Sequence, residues 1–507
     1  MRPLLPYALL LGAILAAFGG SLAAPFHFDD FALFADPAVT TPSGWLDNFR
    51  PAQSRPLTWF TFWLNYRLSG RHPASYHALN LLLHAASSLV LASALLRILP
   101  RSAAWIAAFV FSIHPAQTEA VVYVWARGSL LAAFFCVLSF RQWLHGRHWL
   151  AAAWFLPALL AKEECAAFPV FLGLLHLSVS RNPAELRPLL VMFLAAAAAV
   201  LRVAILSAII PGSGAGPQAG IGPLAYLATQ GYVILRYFQL LAIPVGFTID
   251  PDIPVLYDWR GLLCWTAVAG IAWFSLGYFS RARAGFWLLG GLVLLAPTSS
   301  FFPAADLAAD RRLYLPMIAL APLAGVLLHR TRFPVLLPAA GVVCVMLSYA
   351  RTSAWLTPES LWEDAMRWAP AKVRPRVQLA RALPPAQARR MLEEAKNLAP
   401  DDPAVASELG RMYLNEGKPS EALSEFGRAA AIRPDDAAAY NNRGVALLVL
   451  GMREHALADF RRALQLDPCL YDAYLNLRNA GAAAPQPPLC RWTPDQIRQL
   501  DSGGPFR

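Results

Sequence analysis

Residues 189–210 read LLVMFLAAAAAVLRVAILSAII, with Arg202 the one charged side chain among them. A run of about 20 such residues is what an α-helix needs to cross the hydrocarbon core of a bilayer. Apolar on every face, this helix has no stripe to turn toward water and belongs in lipid. Leu4–Ala24, Leu79–Leu96 and Leu262–Phe279 have similar length and character. Of 507 residues only 15% are charged and the mean hydropathy is +0.42, too apolar for an ordinary soluble domain. The first stretch could be mistaken for a signal peptide, because Ser21-Leu22-Ala23-Ala24 is a small-residue cleavage pattern. Its apolar core exceeds the roughly 7–15 residues of such signals, and Pro25 would follow the cut directly. It reads as a retained anchor.

The formal charge of +11 does not point to nucleic acid, because the arginines lie between apolar runs and form no single basic stripe. Arg2, Arg97/Arg101, Arg141/Arg147, Arg181/Arg187, Arg281/Arg283 and Arg330/Arg332 fall in alternate short loops. The positive-inside rule makes those loops cytoplasmic. The expectation is about eleven spans, an inside N-terminus and an outside C-terminus. Two spans, near 103–113 and 149–161, are short. Counting the apolar stretch Leu224–Ile243 as a full span would put Arg281 and Arg283 outside, so it is expected to be re-entrant or interfacial.

Beyond residue 355 the character changes. Pro400, Pro434 and Pro468 recur every 34 residues, the tetratricopeptide (TPR) period. Leu409-Gly410, Tyr413, Ala422, Phe426, Ala429 and Pro434 mark one unit, and Gly444, Ala456, Phe460, Ala463 and Pro468 mark the next. Small Gly and Ala let two helices approach closely, Phe and Tyr fill the seam, and Pro ends the second helix. Two good repeats are fewer than the three or so that a stable stack needs. Degenerate helices at Glu359–Trp368, Gln387–Leu398 and Tyr471–Asn479 are expected to complete it. The fold expected is therefore all-α: a polytopic transmembrane bundle over 1–355, then a short helical-repeat domain over 356–507 on the non-cytoplasmic side. Cys469 and Cys490 lie in that tail and can pair in an oxidising compartment. Cys136, Cys165, Cys264 and Cys344 sit in apolar segments as small hydrophobes.

Under this topology the polar motifs collect at the outer edge of the membrane. Asp29 and Asp30 follow the first span. Adjacent carboxylates resist joint ionisation, which suits general acid/base work; the plainer reading is a helix N-cap at the membrane entry. His114-Pro115 with Glu119 follows the third span, with Arg127 nearby, and Lys162-Glu163-Glu164 follows the fifth. Asp310-Arg311-Arg312 precedes the tenth. Ionisable groups at this depth line a cavity or pair with one another. Singly, each motif suits a structural pair; gathered on one side, they favour a site. A carboxylate that takes a proton from an acceptor hydroxyl, with arginine or lysine stabilising a departing phosphate, fits such a site. No Cys/His group has metal-ligand spacing, although the carboxylates leave room for a divalent cation through oxygen ligands. No cofactor is firmly implied.

Arg55-Pro56-Leu57-Thr58, Leu64-Asn65-Tyr66, Tyr76-His77 and Asn80-Leu81-Leu82-Leu83-His84 occur in that order. They are followed by His114-Pro115 with Glu119-Ala120-Val121, Ala161-Lys162-Glu163, and Asp310-Arg311 with Leu313-Tyr314-Leu315-Pro316. The ordered set resembles the transmembrane-and-TPR O-mannosyltransferases and their bacterial relatives, of the GT-C glycosyltransferase class, over nearly the whole chain. The resemblance implies an integral-membrane enzyme that takes its sugar from a polyprenyl phosphate at the non-cytoplasmic face. It implies that a first-loop carboxylate, Asp29 or Asp30, is the catalytic base. Arg311, Arg312 and Lys162 are then expected at the phosphate, and His114 and Glu119 at the pocket wall or donor. Arg127, Glu163 and Asp310 complete the substrate-binding set. Two departures stand out. Asp310 replaces the Glu that often begins its motif, a shorter reach. Ala126-Arg127-Gly128-Ser129-Leu130 stands where relatives often read Gly-Arg-Ala-Asp-Leu, so an acid is lost.

The leading expectation is transfer of a sugar, such as mannose, to a hydroxyl of an exported protein or glycan. Membrane lipid, the lipid-linked donor and a protein partner on the repeats are the implied contacts; nucleic acid is not. An arginine-over-lysine, Ala- and Leu-rich composition suits a high-GC bacterial gene, hence an inner membrane with the repeats in the periplasm. The rival is a non-catalytic, membrane-anchored TPR scaffold for an envelope assembly, which leaves the membrane-edge polar groups without a purpose. A translocator would need charged groups near the midplane in both halves of the bundle, against the one-sided distribution.

Overall fold

The computed structural model describes residues 4–50, 53–180, 182–209, 216, 219–279, 283–330, 336–485 and 490. Arg2, Arg181, Arg281 and Arg332 of the topology reading lie outside the described residues. The chain divides into two compact units, Met1–Leu361 and Trp362–Arg507. Both are helical, with no β-strand among the described residues.

Among the described residues, six helices of the first unit are long and apolar enough to cross a bilayer: Leu5–Ala23, Pro73–Leu95, Val124–Leu144, Pro183–Ser207, Trp259–Gly277 and Leu336–Ser353. Four shorter apolar helices accompany them, Arg101–Ile113, His148–Ala161, Ala284–Thr298 and Met317–Leu328. The 224–243 stretch forms one helix, Pro223–Ala242, which is not among the six.

Small residues mark the closest helix contacts in this unit. In Arg101–Ile113, Ala103, Ala104, Ala107 and Ala108 are fully enclosed. Gly325 approaches so closely that a Cβ there would meet the Ala103 carbonyl oxygen at 2.3 Å. Small residues that let backbones meet are the main device for joining helices in lipid, where apolar surface alone gives no drive. The opposite holds in Leu186–Ile209, where Leu190, Leu194 and Leu201 stay exposed, as do Leu262 and Trp273 elsewhere. Acyl chains, not protein, suit those surfaces. Several polar groups inside are satisfied across helices. His84 bonds the Tyr314 hydroxyl and the Ser112 carbonyl, both at 2.9 Å, and Ser348 donates to the Ile113 carbonyl at 2.6 Å.

The second unit repeats itself. Its helices Pro403–Asn415 and Pro419–Ile432 are followed, one period later, by Ala437–Val449 and Arg453–Leu466. Asp402 caps Ala404 and Val405; Asp436 caps Ala438 and Ala439 in the same way. A Cβ on Gly410 would meet Phe426 at 2.6 Å, and one on Gly444 would meet Phe460 at 2.6 Å. These are the close seams that the Gly/Phe spacing predicts. Pro358–Trp368, Pro385–Leu398 and Tyr471–Asn479 are helical as expected. Arg374–Ala382 is an additional helix, only 9 residues long and without an aromatic or glycine signature. Cys469 and Cys490 form a disulfide.

Candidate active site

After the first helix the chain enters a 3-10 turn, Phe28–Phe34, through Phe28 at φ +48°. A residue with a Cβ rarely takes this left-handed conformation, which costs on the order of 1 kcal/mol or more and persists where its surroundings hold it. The turn separates the two neighbouring acids. Asp30 is 1% exposed; its Oδ2 accepts the His27 N–H at 3.0 Å and its Oδ1 the Trp125 N–H at 2.8 Å. Asp29 is exposed, and among the described residues only the Tyr123 hydroxyl bonds its carboxylate, at Oδ2 and 2.9 Å. The Asp29 N–H returns to the same phenolic oxygen at 3.3 Å. Burial pushes the Asp30 carboxyl up to about 7, against the pull of its two N–H donors. Burial also pushes the Tyr123 hydroxyl far up, so it keeps its proton and donates. Asp30 fastens the loop; Asp29 is the acid presented.

Cations are held close by. Glu119, 2% exposed, accepts the Arg311 backbone N–H at 3.0 Å and also receives its guanidinium. Arg311 reaches Asp306 as well, at 3.0 Å. Burial works against the Arg311 charge, but Glu119 and Asp306 more than offset it and hold the group charged. Arg311 is near enough to act electrostatically on Tyr123, Arg55 and Lys162. Arg55 forks onto Glu163, with Nε to Oε2 at 3.0 Å and Nη2 to Oε1 at 2.5 Å. Burial would raise the Glu163 carboxyl, yet Arg55 outweighs it and keeps the group down at about 2. Lys162 donates to Ser129 at 2.7 Å and pairs with Glu164 at 2.7 Å. Burial pushes this lysine down, with Glu164 resisting. Ser129, the position where an acid is missing, thus takes the lysine ammonium while Glu164 supplies the counter-charge.

The other expected residues are bonded to partners of their own, although Asp310 and Arg312 share a short turn with Arg311. His114 closes the helix Arg101–Ile113: Nδ1 accepts the Ala116 N–H at 3.2 Å and Nε2 bonds the Leu241 carbonyl at 3.3 Å. Burial brings its imidazole down to about 4, so it is neutral near pH 7. Asp310 is buried, accepting the Thr248 N–H at 3.0 Å with Arg236 3.9 Å away. Burial, then the charge of Glu119, raises its carboxyl. Arg312 bonds the Tyr226 hydroxyl and the Leu307 carbonyl, each at 3.2 Å. Arg127 has no exposed surface. It is enclosed by Asn80 Oδ1 at 2.9 Å, Asn65 Oδ1 at 3.0 Å and the Tyr76 carbonyl at 3.2 Å, over the Phe62 ring. No group of three or more His, Cys, Asp or Glu among the described residues is arranged to hold a metal ion.

Sequence reading assigned no role to Tyr123, Arg55, Glu164 or Asp306. Arg55 and Glu164 stood inside quoted motifs and carried a signal. Tyr123 carried none, because an aromatic beside valines at a membrane edge is ordinary interfacial packing.

Two family models match the tail, one described as Tetratricopeptide repeat over residues 437–468 and one as TPR repeat over 410–451. Among curated proteins, human Protein O-mannosyl-transferase TMTC3 is 25% identical over 493 residues, covering 82% of this chain and 53% of its own. Caenorhabditis elegans Protein O-mannosyl-transferase F38B6.6 is 27% identical, covering 65% and 51% respectively. Human TMTC4 is 33% identical over a shorter stretch, 26% of this chain and 22% of that protein. The chain spans about half the length of the first two relatives.

Proposed function

We propose that this chain, a relative of the TMTC protein O-mannosyl-transferases, is an integral-membrane glycosyltransferase that moves mannose from a polyprenyl phosphate to an acceptor hydroxyl. Residues 1–355 carry the reaction in a GT-C-like bundle and 356–507 form the repeat domain. Both the site and the repeats lie on the non-cytoplasmic side, the periplasm in a bacterial cell. The acceptor is an exported protein or glycan. Asp29 takes the proton from the acceptor hydroxyl as its oxygen bonds sugar C1. The C1–O bond to the polyprenyl phosphate breaks, and the phosphate leaves with the electron pair. Arg311, Arg55 and Lys162 stabilise the charge that grows on it.

The observation that carries this reading is the exposed Asp29, bonded to Tyr123, whose hydroxyl lies within electrostatic reach of Arg311, as do Arg55 and Lys162 from distant segments. The test supplies radiolabelled polyprenyl-phosphate mannose to membranes containing the chain. Label should reach macromolecular acceptors with the native protein and fail to do so with Asp29→Asn. Equal labelling by both removes Asp29 as the base. The tandem repeats favour a second reading, an envelope scaffold. It predicts that repeats tethered by any single span restore the cellular function.

A further inference from the structure

Tyr123 takes no part in the reaction as written, yet it makes both contacts that fix Asp29. Its hydroxyl donates to Oδ2 at 2.9 Å and accepts the Asp29 N–H at 3.3 Å. One acceptor site of Oδ2 is thereby engaged, which makes Oδ1, with no hydrogen bond among the described residues, the freer oxygen to receive a proton. The phenol ring cannot follow a wandering acid. It is 3% exposed, set edge-on to Phe28 with centroids 6.0 Å apart and tilted against Trp355 at 5.7 Å.

The backbone beneath the ring is held as well. Asn80 Nδ2 donates to the Val121 and Tyr123 carbonyls, each at 3.3 Å. Arg127 Nε in turn donates to Asn80 Oδ1 at 2.9 Å. The next peptide in line, at Trp125, supplies the N–H that fastens Asp30. A continuous run of hydrogen bonds therefore leads from Arg127 through Asn80 and Tyr123 to Asp29. It ends beside Phe28, whose left-handed backbone needs such an outside hold.

We propose that Tyr123 is a positioning residue for the reaction: its hydroxyl locks Asp29 Oδ2 and the Asp29 backbone so that Oδ1 meets the acceptor hydroxyl. The inference rests on Asp29 being the base. Arg127 and Asn80 give the lock its frame.

The test is Tyr123→Phe in the full chain, which keeps the ring packed against Phe28 and Trp355 and removes only the hydroxyl. Transfer is measured in membranes with radiolabelled polyprenyl-phosphate mannose over a range of donor concentrations. Hydrogen exchange of the peptide spanning 27–31 is followed in the same protein. The maximal rate should fall about tenfold or more, the worth of a hydrogen bond to a charged group. The half-saturating donor concentration should not move, because the cations are untouched, and exchange across 27–31 should quicken. The rate is taken per folded protein, because a purely structural loss lowers the total rate through the amount of folded protein and leaves the rate per folded molecule unchanged. An unchanged maximal rate, or a change confined to donor saturation, overturns the proposal. Equal labelling by wild type and Asp29→Asn removes Asp29 as the base and this proposal with it; no labelling by either overturns the transferase reading instead. In that event unchanged exchange in Tyr123→Phe also overturns the lock, and quickened exchange upholds it.

Discussion

Gly410 meets Phe426 just as Gly444 meets Phe460, each pair within its own repeat, whereas Asp29 is held by Tyr123 across 94 residues and Arg311 by Glu119 across 192. In the repeat unit a contact has a copy one period away, and loss of one leaves its neighbour intact. In the membrane unit the contacts that bring Tyr123 to Asp29, Glu119 to Arg311 and Arg55 to Glu163 depend on segments far apart in sequence. Redundancy resides in the tail; irreplaceable geometry resides in the bundle.

That contrast can be broken most decisively at Asp29. Asp29→Asn should lower transfer by about 10²–10⁴-fold, the usual worth of a general base, while protease resistance of the repeats stays native. Asp30→Asn should act differently. Both Asp30 oxygens accept backbone N–H groups, so an amide nitrogen would face a donor, and less folded protein should be recovered. Matching losses in the two variants, with equal amounts of folded protein, would erase the distinction between them.

Next in size is Phe460→Ala. Emptying the seam beneath Gly444 should destabilise the repeat unit by about 3–5 kcal/mol. Limited proteolysis of the full chain should then cut first within 437–466. Cleavage beginning inside the bundle would contradict the local character assigned to the tail. A smaller effect is expected at the disulfide. Cysteines 21 residues apart close a short loop, worth roughly 3 kcal/mol in the chain-entropy view, and its loss should loosen only the neighbourhood of Tyr471–Asn479. Cys469→Ser with unchanged exchange in that helix would show the bond to be idle.

The most local effect is a pH dependence of the first loop. The Asp30 carboxyl stands at about 7 in the folded loop against 3.8 in an open chain. The folded loop therefore binds the proton more tightly, and the stabilisation is fully present below about pH 4 and lost as pH rises through about 7. Exchange protection of 27–31, corrected for intrinsic rate, should decline over that interval. Flat protection would mean that the two N–H donors balance burial, and protection rising with pH that they outweigh it.

Much of this molecule can be read from its residues because periodicity is a local property. The Pro, Gly and Phe spacing near 400–468 specifies which surfaces touch, and the apolar runs locate the long helices. The site is legible only in part. Motif order singles out Glu119, Lys162, Glu163 and Arg311, but nothing in sequence distinguishes Asp29 from Asp30. Their difference arises from one left-handed residue, Phe28, that turns one carboxylate toward peptide N–H groups and leaves its neighbour exposed. Arg127 shows the converse. A cation beside a motif reads as part of the substrate-binding set, yet here neutral oxygens and aromatic faces enclose it. Tyr123 escapes altogether, since its partner lies in another segment.

The enclosure of Arg127 also bears on how the bundle is made. Its acceptors are Thr61, Asn65, Tyr76 and Asn80, and all four leave the ribosome before the arginine does. An arginine entering lipid alone is strongly disfavoured. When the segment Val124–Leu144 reaches the membrane, the oxygens that will hold its guanidinium have already been delivered. Order along the chain thus becomes order of assembly: a fragment begun after residue 100 would bring the same arginine to the bilayer with none of its hosts.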